Sequence, residues 1–372
     1  ARVQHAIAPP TQLNAPTDPI SSKTMVVSLQ SVAGSARGKE FNEPQLLMTA
    51  SFPQTGTLII GRDESNDIRL DGLQISKRHA KLIRTSAGIG VEDLGSTNGV
   101  FINGSRVTRG EVSFSDSIQI GSFVIRVDQG HQVLVYDTRS KTRIDVIGVM
   151  TEVKDRSRGG KVRLLDEVSL SIKPNEFIGL IGPSGAGKST LIEALNGVRP
   201  ATSGSVLINK LDLYRHFDSL KQAIGYVPQD DIIHRELTVY RTLYYVAKLR
   251  LSRDVTSNEI AKMIDEVLDV TGLAERRDTP VRQLSGGQRQ RVSIAVELVT
   301  KPSVIFLDEP TSGLDPATEG KIMRLFKQIA DSGRTVVMTT HAMGNVKLFD
   351  KIVVLVRGRL VARRRHADRR DG

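Results

Sequence analysis

The 372-residue sequence contains no cysteine and no tryptophan, and aromatic side chains make up only 4% of it. Without cysteine there are no disulfide frameworks, no thiolate zinc sites and no thiol nucleophiles, and the chain is compatible with a reducing compartment. So few rings leave little to build a stacking platform for single-stranded nucleic acid. Long apolar runs are also missing: no stretch of about 18 apolar residues occurs, so no segment reads as a membrane span. The amino-terminal residues lack the charged and apolar blocks of a secretion signal, so the chain is expected to be soluble. What is present is ordinary for folded protein, with 39% hydrophobic and 25% charged residues over a length that fits two or three domains.

The net charge of +11 is unevenly spread. Seven arginines stand against two aspartates between Arg357 and Gly372. Such a tail reads as a solvated end in preference to a nucleic-acid arm, and no nucleic-acid partner is expected.

Texture divides the chain. Residues 1–23 carry Pro9, Pro10, Pro16 and Pro19 with few large apolar side chains, the composition of a disordered linker. From 24 to 128 short apolar runs such as Leu58-Ile59-Ile60 and Phe123-Val124-Ile125 alternate with Gly, Asn, Asp and Ser clusters, which predicts an all-β sandwich. A polar stretch, 129–143, reads as a second linker. Over 144–360 apolar strands alternate with amphipathic segments, including helical spacing at 258–271 and 317–330, which predicts an α/β domain. Residues 361–372 form the basic tail.

Three motifs in the second region carry phosphate chemistry. Gly182-Pro183-Ser184-Gly185-Ala186-Gly187-Lys188-Ser189-Thr190 follows the run Phe177–Ile181 and precedes a helical stretch, the strand–loop–helix setting of a P-loop. Its glycines let backbone N–H groups curl round a β-phosphate at a helix N-terminus. Lys188 then reaches the β/γ-phosphates and Ser189 ligates Mg²⁺. The apolar strand Val304–Leu307 ends in Asp308 and Glu309. Asp308 is placed to hold the hydrated Mg²⁺, and Glu309 to polarise the attacking water. Leu284-Ser285-Gly286-Gly287-Gln288 opens a further predicted helix and is a second phosphate-binding device, about a hundred residues away.

With Gln229, the Ser312-Gly313-Leu314-Asp315 run and His341, the order and spacing of these motifs over 144–360 resemble an ABC-type ATPase with a helical subdomain. The resemblance implies a head-to-tail dimer of two copies. Ser285 and its neighbours close over ATP held by the other copy, Asp315 bridges the two, His341 contacts the γ-phosphate, and Gln229 links Mg²⁺ and water to the transport domain. Glu309, His341, Gln229 and Lys188 make the catalytic set, and Ser189, Gln229 and Asp308 the Mg²⁺ set. The family places an aromatic ring some twenty-odd residues before the P-loop to stack on adenine. None occurs between Tyr136 and Phe177, which leaves Arg158 as a cation to lie over the base and GTP open as a further substrate. The segments 236–250 and 292–300 look like the white-type G subfamily, whose members move lipids and other amphipathic molecules through a membrane-spanning domain. That domain lies outside this sequence, so the fragment belongs at the cytoplasmic face of the membrane.

In the first region Gly61-Arg62, Ser76-Lys77-Arg78-His79 and Gly95-Ser96-Thr97-Asn98-Gly99 resemble, in this order, the forkhead-associated (FHA) domain. Arg62 offers a fork for phosphate oxygens, Ser76 a hydroxyl and Lys77 a further charge, while Thr97 and Asn98 fix the peptide backbone beside a phosphothreonine. His79 is expected to brace the loops without touching ligand. Thr17, followed three positions later by Ile20, and Thr11 are candidate acceptors for a Ser/Thr kinase. The pairing of the two domains resembles mycobacterial-type FHA-bearing ABC exporters. The reading from a different class is a phospho-dependent scaffold whose ATPase acts chiefly as a nucleotide-driven dimerisation switch.

Overall fold

The computed structural model describes residues 45–86, 88–155, 160–229, 233–341 and 344–365. The expected linker 1–23, Thr11, Thr17 and Arg158 lie outside them.

The first domain is a sandwich of two sheets. One holds, in spatial order, Gln45–Ser51, Gln132–Asp137, Phe123–Val127, Ile118–Ile120, Val100–Ile102 and Ser105–Val107. The other holds Ile68–Arg69, Thr57–Gly61, Ala80–Thr85, Gly88–Asp93 and Arg109–Val112. Inward residues alternate along each strand, and Ile60, Leu82, Val91, Ile118, Ile125 and Val135 are all buried between the sheets. Thus the all-β reading of the first region holds over its described residues, and its part 24–44 lies outside them.

Its carboxy-terminal boundary differs from the sequence expectation. Residues 132–137 are not linker but a central strand, paired antiparallel with both Gln45–Ser51 and Phe123–Val127. Val133 and Val135 face the core, while Leu134 and Tyr136 on the opposite face are half-buried, so the run 133–136 is continuously β-prone and shows no polar alternation. Immediately after the strand, Arg139 forks onto the Asp137 carboxylate and covers the Phe123 ring at 4.9 Å.

The second domain has a six-stranded core sheet in the order Ile224–Val227, Val304–Leu307, Thr335–Thr340, Phe177–Ile181, Lys351–Val356 and Arg359–Arg365. The first five are parallel, and cover on both faces explains why Val304–Leu307 and Phe177–Ile181 are continuously apolar. The last is antiparallel and extends to Arg365, so the expected basic tail starts inside the sheet. The two-residue turn Arg357-Gly358 has positive φ at both positions, 48° and 76°, the geometry that matches strand twist in a tight hairpin. A four-stranded antiparallel sheet, led by Ile144–Asp155 and Gly160–Ile172, packs beside this core. A helical lobe of Val239–Arg250, Ser257–Thr271 and Gly286–Leu298 closes round Leu243, Ile264, Leu268 and Val292.

The two domains touch. Gln119 Nε2 donates to the Ser219 carbonyl at 2.8 Å, Gln222 Nε2 to that of Asn98 at 3.2 Å, and Gln74 Nε2 to that of Thr300 at 2.8 Å.

Candidate functional site

Strand Phe177–Ile181 is central in the core sheet and delivers the loop 182–187 to its carboxyl end, where α/β sheets bind ligands. Helix Lys188–Leu195 follows with Gly187 at its N-cap in the left-handed region, φ 91°, and no side chain caps it. Its first N–H groups therefore remain available. Two glycines are required by close approach. A Cβ on Gly182 would sit 2.3 Å from the Leu355 carbonyl oxygen, and one on Gly187 2.7 Å from that of Leu164. Lys188 lies buried across the loop, with Nζ donating to the carbonyls of Gly182 at 3.0 Å and Pro183 at 3.2 Å.

The sheet register brings the acidic pair to the same end. Asp308 is buried, and its Oδ1 accepts from the Ser189 hydroxyl at 3.1 Å and from the Thr339 hydroxyl at 2.6 Å. Thr339 in turn accepts from the Glu309 N–H at 2.7 Å. Glu309 has φ 45°, so its side chain turns out of the strand direction. Its Oε1 lies 3.6 Å from Lys188 Nζ and its Oε2 3.5 Å from His341 Nδ1. One hydroxyl, that of Thr339, thus ties the Asp308 carboxylate to the backbone of Glu309. Sequence reasoning missed it because Thr339 is a plain strand residue, and only the parallel pairing of Val304–Leu307 with Thr335–Thr340 makes it a neighbour.

Gln229 stands two residues beyond Val227, beside the acidic strand, and is exposed. Among the described residues it makes no hydrogen bond to Ser189 or Asp308. Those two fit a hard cation, an oxygen pair already in contact, whereas Gln229 joins them only if its segment moves.

The second phosphate-binding device, the signature segment Leu284–Gln288, sits elsewhere. Ser285 caps helix Gly286–Leu298: its hydroxyl accepts from Gln288 N–H at 3.3 Å while Gln288 Oε1 accepts from Ser285 N–H at 3.0 Å. Gly287 packs so tightly that a Cβ would be 2.5 Å from the Thr318 methyl. Asp315 caps helix Pro316–Asp331 through the N–H groups of Ala317 and Thr318, and the Thr318 hydroxyl first of all holds its carboxyl below the usual range. Among the described residues no hydrogen bond joins Leu284–Gln288 to the P-loop. Ser285 and Asp315 are preset by helix capping and lie on adjoining helices.

The five residues expected to recognise phosphothreonine come from three loops at one end of the sandwich. Arg62 N–H donates to the Ser76 carbonyl at 3.0 Å and its Nε to that of Ile75 at 3.2 Å. Thr97 N–H donates to the Ser76 hydroxyl at 3.2 Å, and Asn98 Nδ2 to the Gln74 carbonyl at 2.7 Å. Asn66, which the sequence did not single out, ties the first two loops by donating to the carbonyls of Asp63 and Lys77. The Arg62 fork is not free: it reaches Asp254 and Glu259 of the helical lobe.

His79 is wholly buried and braces the loops as expected. Its Nδ1 accepts from Ser76 N–H at 3.1 Å, which fixes the tautomer, so Nε2–H donates to the Gly99 carbonyl at 3.1 Å. Burial pushes the imidazole below its ordinary 6.5, against smaller opposing effects of the Gly99 carbonyl, Asp93 and Asp254. Between that lowered value and 6.5 the unfolded chain binds a proton that the folded one refuses. The sandwich is therefore expected to hold its full stability above about pH 6.5 and lose it progressively as pH falls below. Asp63 and Asp116, both held below the ordinary 3.8 chiefly by serine N–H and hydroxyl donors, act only in a more acidic window. Melting of the full chain at pH 7.5 and pH 5 checks this; an unchanged melting temperature of the sandwich would contradict it.

Known proteins match both halves. The model of the ABC transporter family matches residues 165–312, and that of the FHA domain matches 58–121. The chain is 38% identical to the ABC transporter ATP-binding/permease protein Rv1747 of Mycobacterium tuberculosis over 84% of its own length and 36% of that protein. It is 39% identical to ABC transporter G family member 14 of Arabidopsis thaliana over 52% of its length and 31% of that protein. It therefore spans about a third of the length of these curated relatives. Among solved structures, cbiO1 from Clostridium perfringens, part of an ABC transporter complex, is 31% identical with a TM-score of 0.53, covering 59% of this chain and 87% of that one. The dimeric, post-hydrolysis ATP-binding cassette MJ0796 bound to ADP and Pi is 29% identical with a TM-score of 0.55, covering 60% and 98%.

Proposed function

Because this chain belongs to the ABC transporter family, as an ATP-hydrolysing domain preceded by an FHA domain, we propose that it powers an exporter under the control of phosphothreonine recognition. The observation that carries the ATPase half is the hydrogen-bonded run Ser189–Asp308–Thr339–Glu309, with Lys188 3.6 Å from its end. Lys188 and the uncapped N-terminus of helix Lys188–Leu195 suit the triphosphate of ATP as substrate. Ser189 and Asp308 would hold Mg²⁺, which supplies charge neutralisation on the phosphates when bound. Glu309 orients and deprotonates the attacking water, and His341, 3.5 Å away, steadies that carboxylate.

The separation of Ser285 from the P-loop within one chain supports a head-to-tail pair, in which each copy supplies its signature to the other's ATP. MJ0796 is dimeric in its solved structures. The specific rate of Mg-ATP hydrolysis is accordingly expected to climb with protein concentration. A rate that stays flat would remove the composite site and leave a one-subunit mechanism.

No helix among the described residues is long and apolar enough to cross a membrane. A membrane-spanning partner domain is supported by a groove on the helical lobe, where Tyr245 and Leu249, the latter 83% exposed, stand beside Val227, Pro228 and Ile233. Exposed large apolar side chains of this kind mark a docking face. The ATPase would then sit at the cytoplasmic face of the membrane, and a lipid-like or amphipathic cargo is in keeping with the G-type relatives. For the FHA half, the convergence of Arg62, Ser76, Lys77 and Thr97 at one loop end supports a phosphothreonine ligand, written by a Ser/Thr kinase.

A further inference from the structure

The loops read as the phosphothreonine site face the ATPase domain, and a strip of that domain lies on them. The strip is Ser252–Glu259, the connection from helix Val239–Arg250 into helix Ser257–Thr271. Ser252 N–H donates to the Leu73 carbonyl at 2.9 Å, and its hydroxyl lies 3.0 Å from that of Ser76 and 3.3 Å from that of Thr97. Arg253 N–H donates to the Thr97 hydroxyl at 3.0 Å. Asp254 accepts from the Lys77 backbone N–H and, at 3.2 Å, from Arg62 Nη2, while Glu259 accepts from Arg62 Nη1.

Four of the five recognition residues are thus engaged by one strip, and the engagement has the chemistry of a phosphopeptide. Two carboxylates meet the arginine fork, together carrying about the −1.5 to −2 charge of a phosphothreonine. A main-chain N–H meets Thr97, the group assigned to hold a peptide backbone. Arg62 is only 12% exposed, so little of its fork remains for another anion. Burial alone raises both carboxyls. The Lys77 N–H, the Ser252 hydroxyl and Arg62 outweigh it at Asp254, and the Thr256 N–H and hydroxyl with Arg62 do so at Glu259, so both end below their ordinary range.

We infer that the FHA site is occupied in cis, with Asp254 and Glu259 standing in for the phosphate, so that the helical lobe and a phosphothreonine peptide are competing ligands of the same loops. This rests on reading Arg62 and its neighbours as a phosphothreonine site. The occupied strip is coupled to the catalytic parts. Helix Ser257–Thr271, which Glu259 helps to cap, is held at its far end by Arg291 of the signature helix, whose Nη1 donates to the carbonyls of Thr271 and Gly272. The FHA domain also grips the P-loop lobe through Gln119 and Gln222. It therefore spans both lobes of the ATPase. A bound phosphopeptide displaces the Ser252–Glu259 strip and leaves Gln74 to Thr300 as the tie to the signature-bearing lobe.

The test uses the full chain and a peptide library with phosphothreonine fixed at its centre, beside the same library unphosphorylated. In the double variant Asp254→Asn, Glu259→Gln the two charges are lost but the helix stays capped, because glutamine also completes a capping box. Competition predicts phosphopeptide binding tighter by on the order of tenfold or more in this variant, as the fraction of open sites rises, and none in Arg62→Ala. Equal affinity in wild type and double variant would overturn cis occupancy. A second measurement reads docking without peptide. The sequence has no cysteine, so Ser76→Cys with Ser252→Cys gives one thiol pair, placed where the two hydroxyls lie 3.0 Å apart. Oxidation is expected to cross-link them efficiently, and failure to cross-link would overturn the docking itself. Efficient cross-linking with no phosphopeptide binding in any variant would instead remove the phosphothreonine reading, and the competition with it.

Discussion

Glu309→Gln is expected to lower the Mg-ATP hydrolysis rate by on the order of 10²-fold or more while ATP still binds, because glutamine keeps the shape and loses the base. The P-loop contacts through Lys188 and the Ser189–Asp308 pair do not depend on that carboxylate's charge. Nucleotide-bound pairs should therefore accumulate, visible as an ATP-dependent shift to dimer in size-exclusion chromatography. Thr339→Val is the companion variant. It removes the donor to Asp308 and the acceptor of the Glu309 N–H at once, in a buried position. Each buried group left unpaired costs about 1–3 kcal/mol, so this variant should lose both activity and melting temperature. A Glu309→Gln protein that hydrolyses ATP at the wild-type rate would move the base to another residue.

Gly61→Ala is expected to be the most damaging single methyl in the FHA domain. An ideal Cβ there would fall 2.2 Å from the Lys77 carbonyl oxygen and 2.8 Å from Asn66 Nδ2. The obstacle is backbone, not the end of a flexible side chain, so the loops carrying Arg62 and Lys77 must separate. Their ties, Asp63 N–H to the Lys77 carbonyl and Asn66 to the same oxygen, break with them. Overpacking of this kind costs about 3 kcal/mol or more, and phosphopeptide binding should vanish with the loop geometry. Gly95→Ala makes the control. Gly95 has φ 79° but nothing within 4 Å of its Cβ, so only backbone strain of about 1–2 kcal/mol applies. Comparable melting temperatures for the two variants would show that the loops yield to a methyl.

The nucleotide half was legible because its chemistry is local. A phosphate is cradled by consecutive N–H groups, so Gly182–Thr190 announces itself, and Val304–Leu307 is apolar because a parallel strand is buried on both faces. Helix Ser257–Thr271 was equally readable from its apolar spacing, and the structure adds a Thr256–Glu259 capping box at its start. Strand Gln132–Asp137 was not readable, since Val133–Tyr136 is a run of only four β-prone residues between polar stretches, and its pairing with Gln45–Ser51 and Phe123–Val127 is what makes it part of the sandwich.

The sequence by itself determined the two domains, the phosphate-binding motifs, the recognition loops and the bracing role of His79, each a matter of residue types at short spacing. Tertiary structure alone decided which groups meet from far along the chain: Thr339 with Asp308 and Glu309, Asn66 with Lys77, and the strip Ser252–Glu259 with the recognition loops. The physical reason is that Asp254 and Glu259, as sequence, are two solvated acids in a helix connection. Only the packing of one domain on the other partly buries them and gives them Arg62 as a partner.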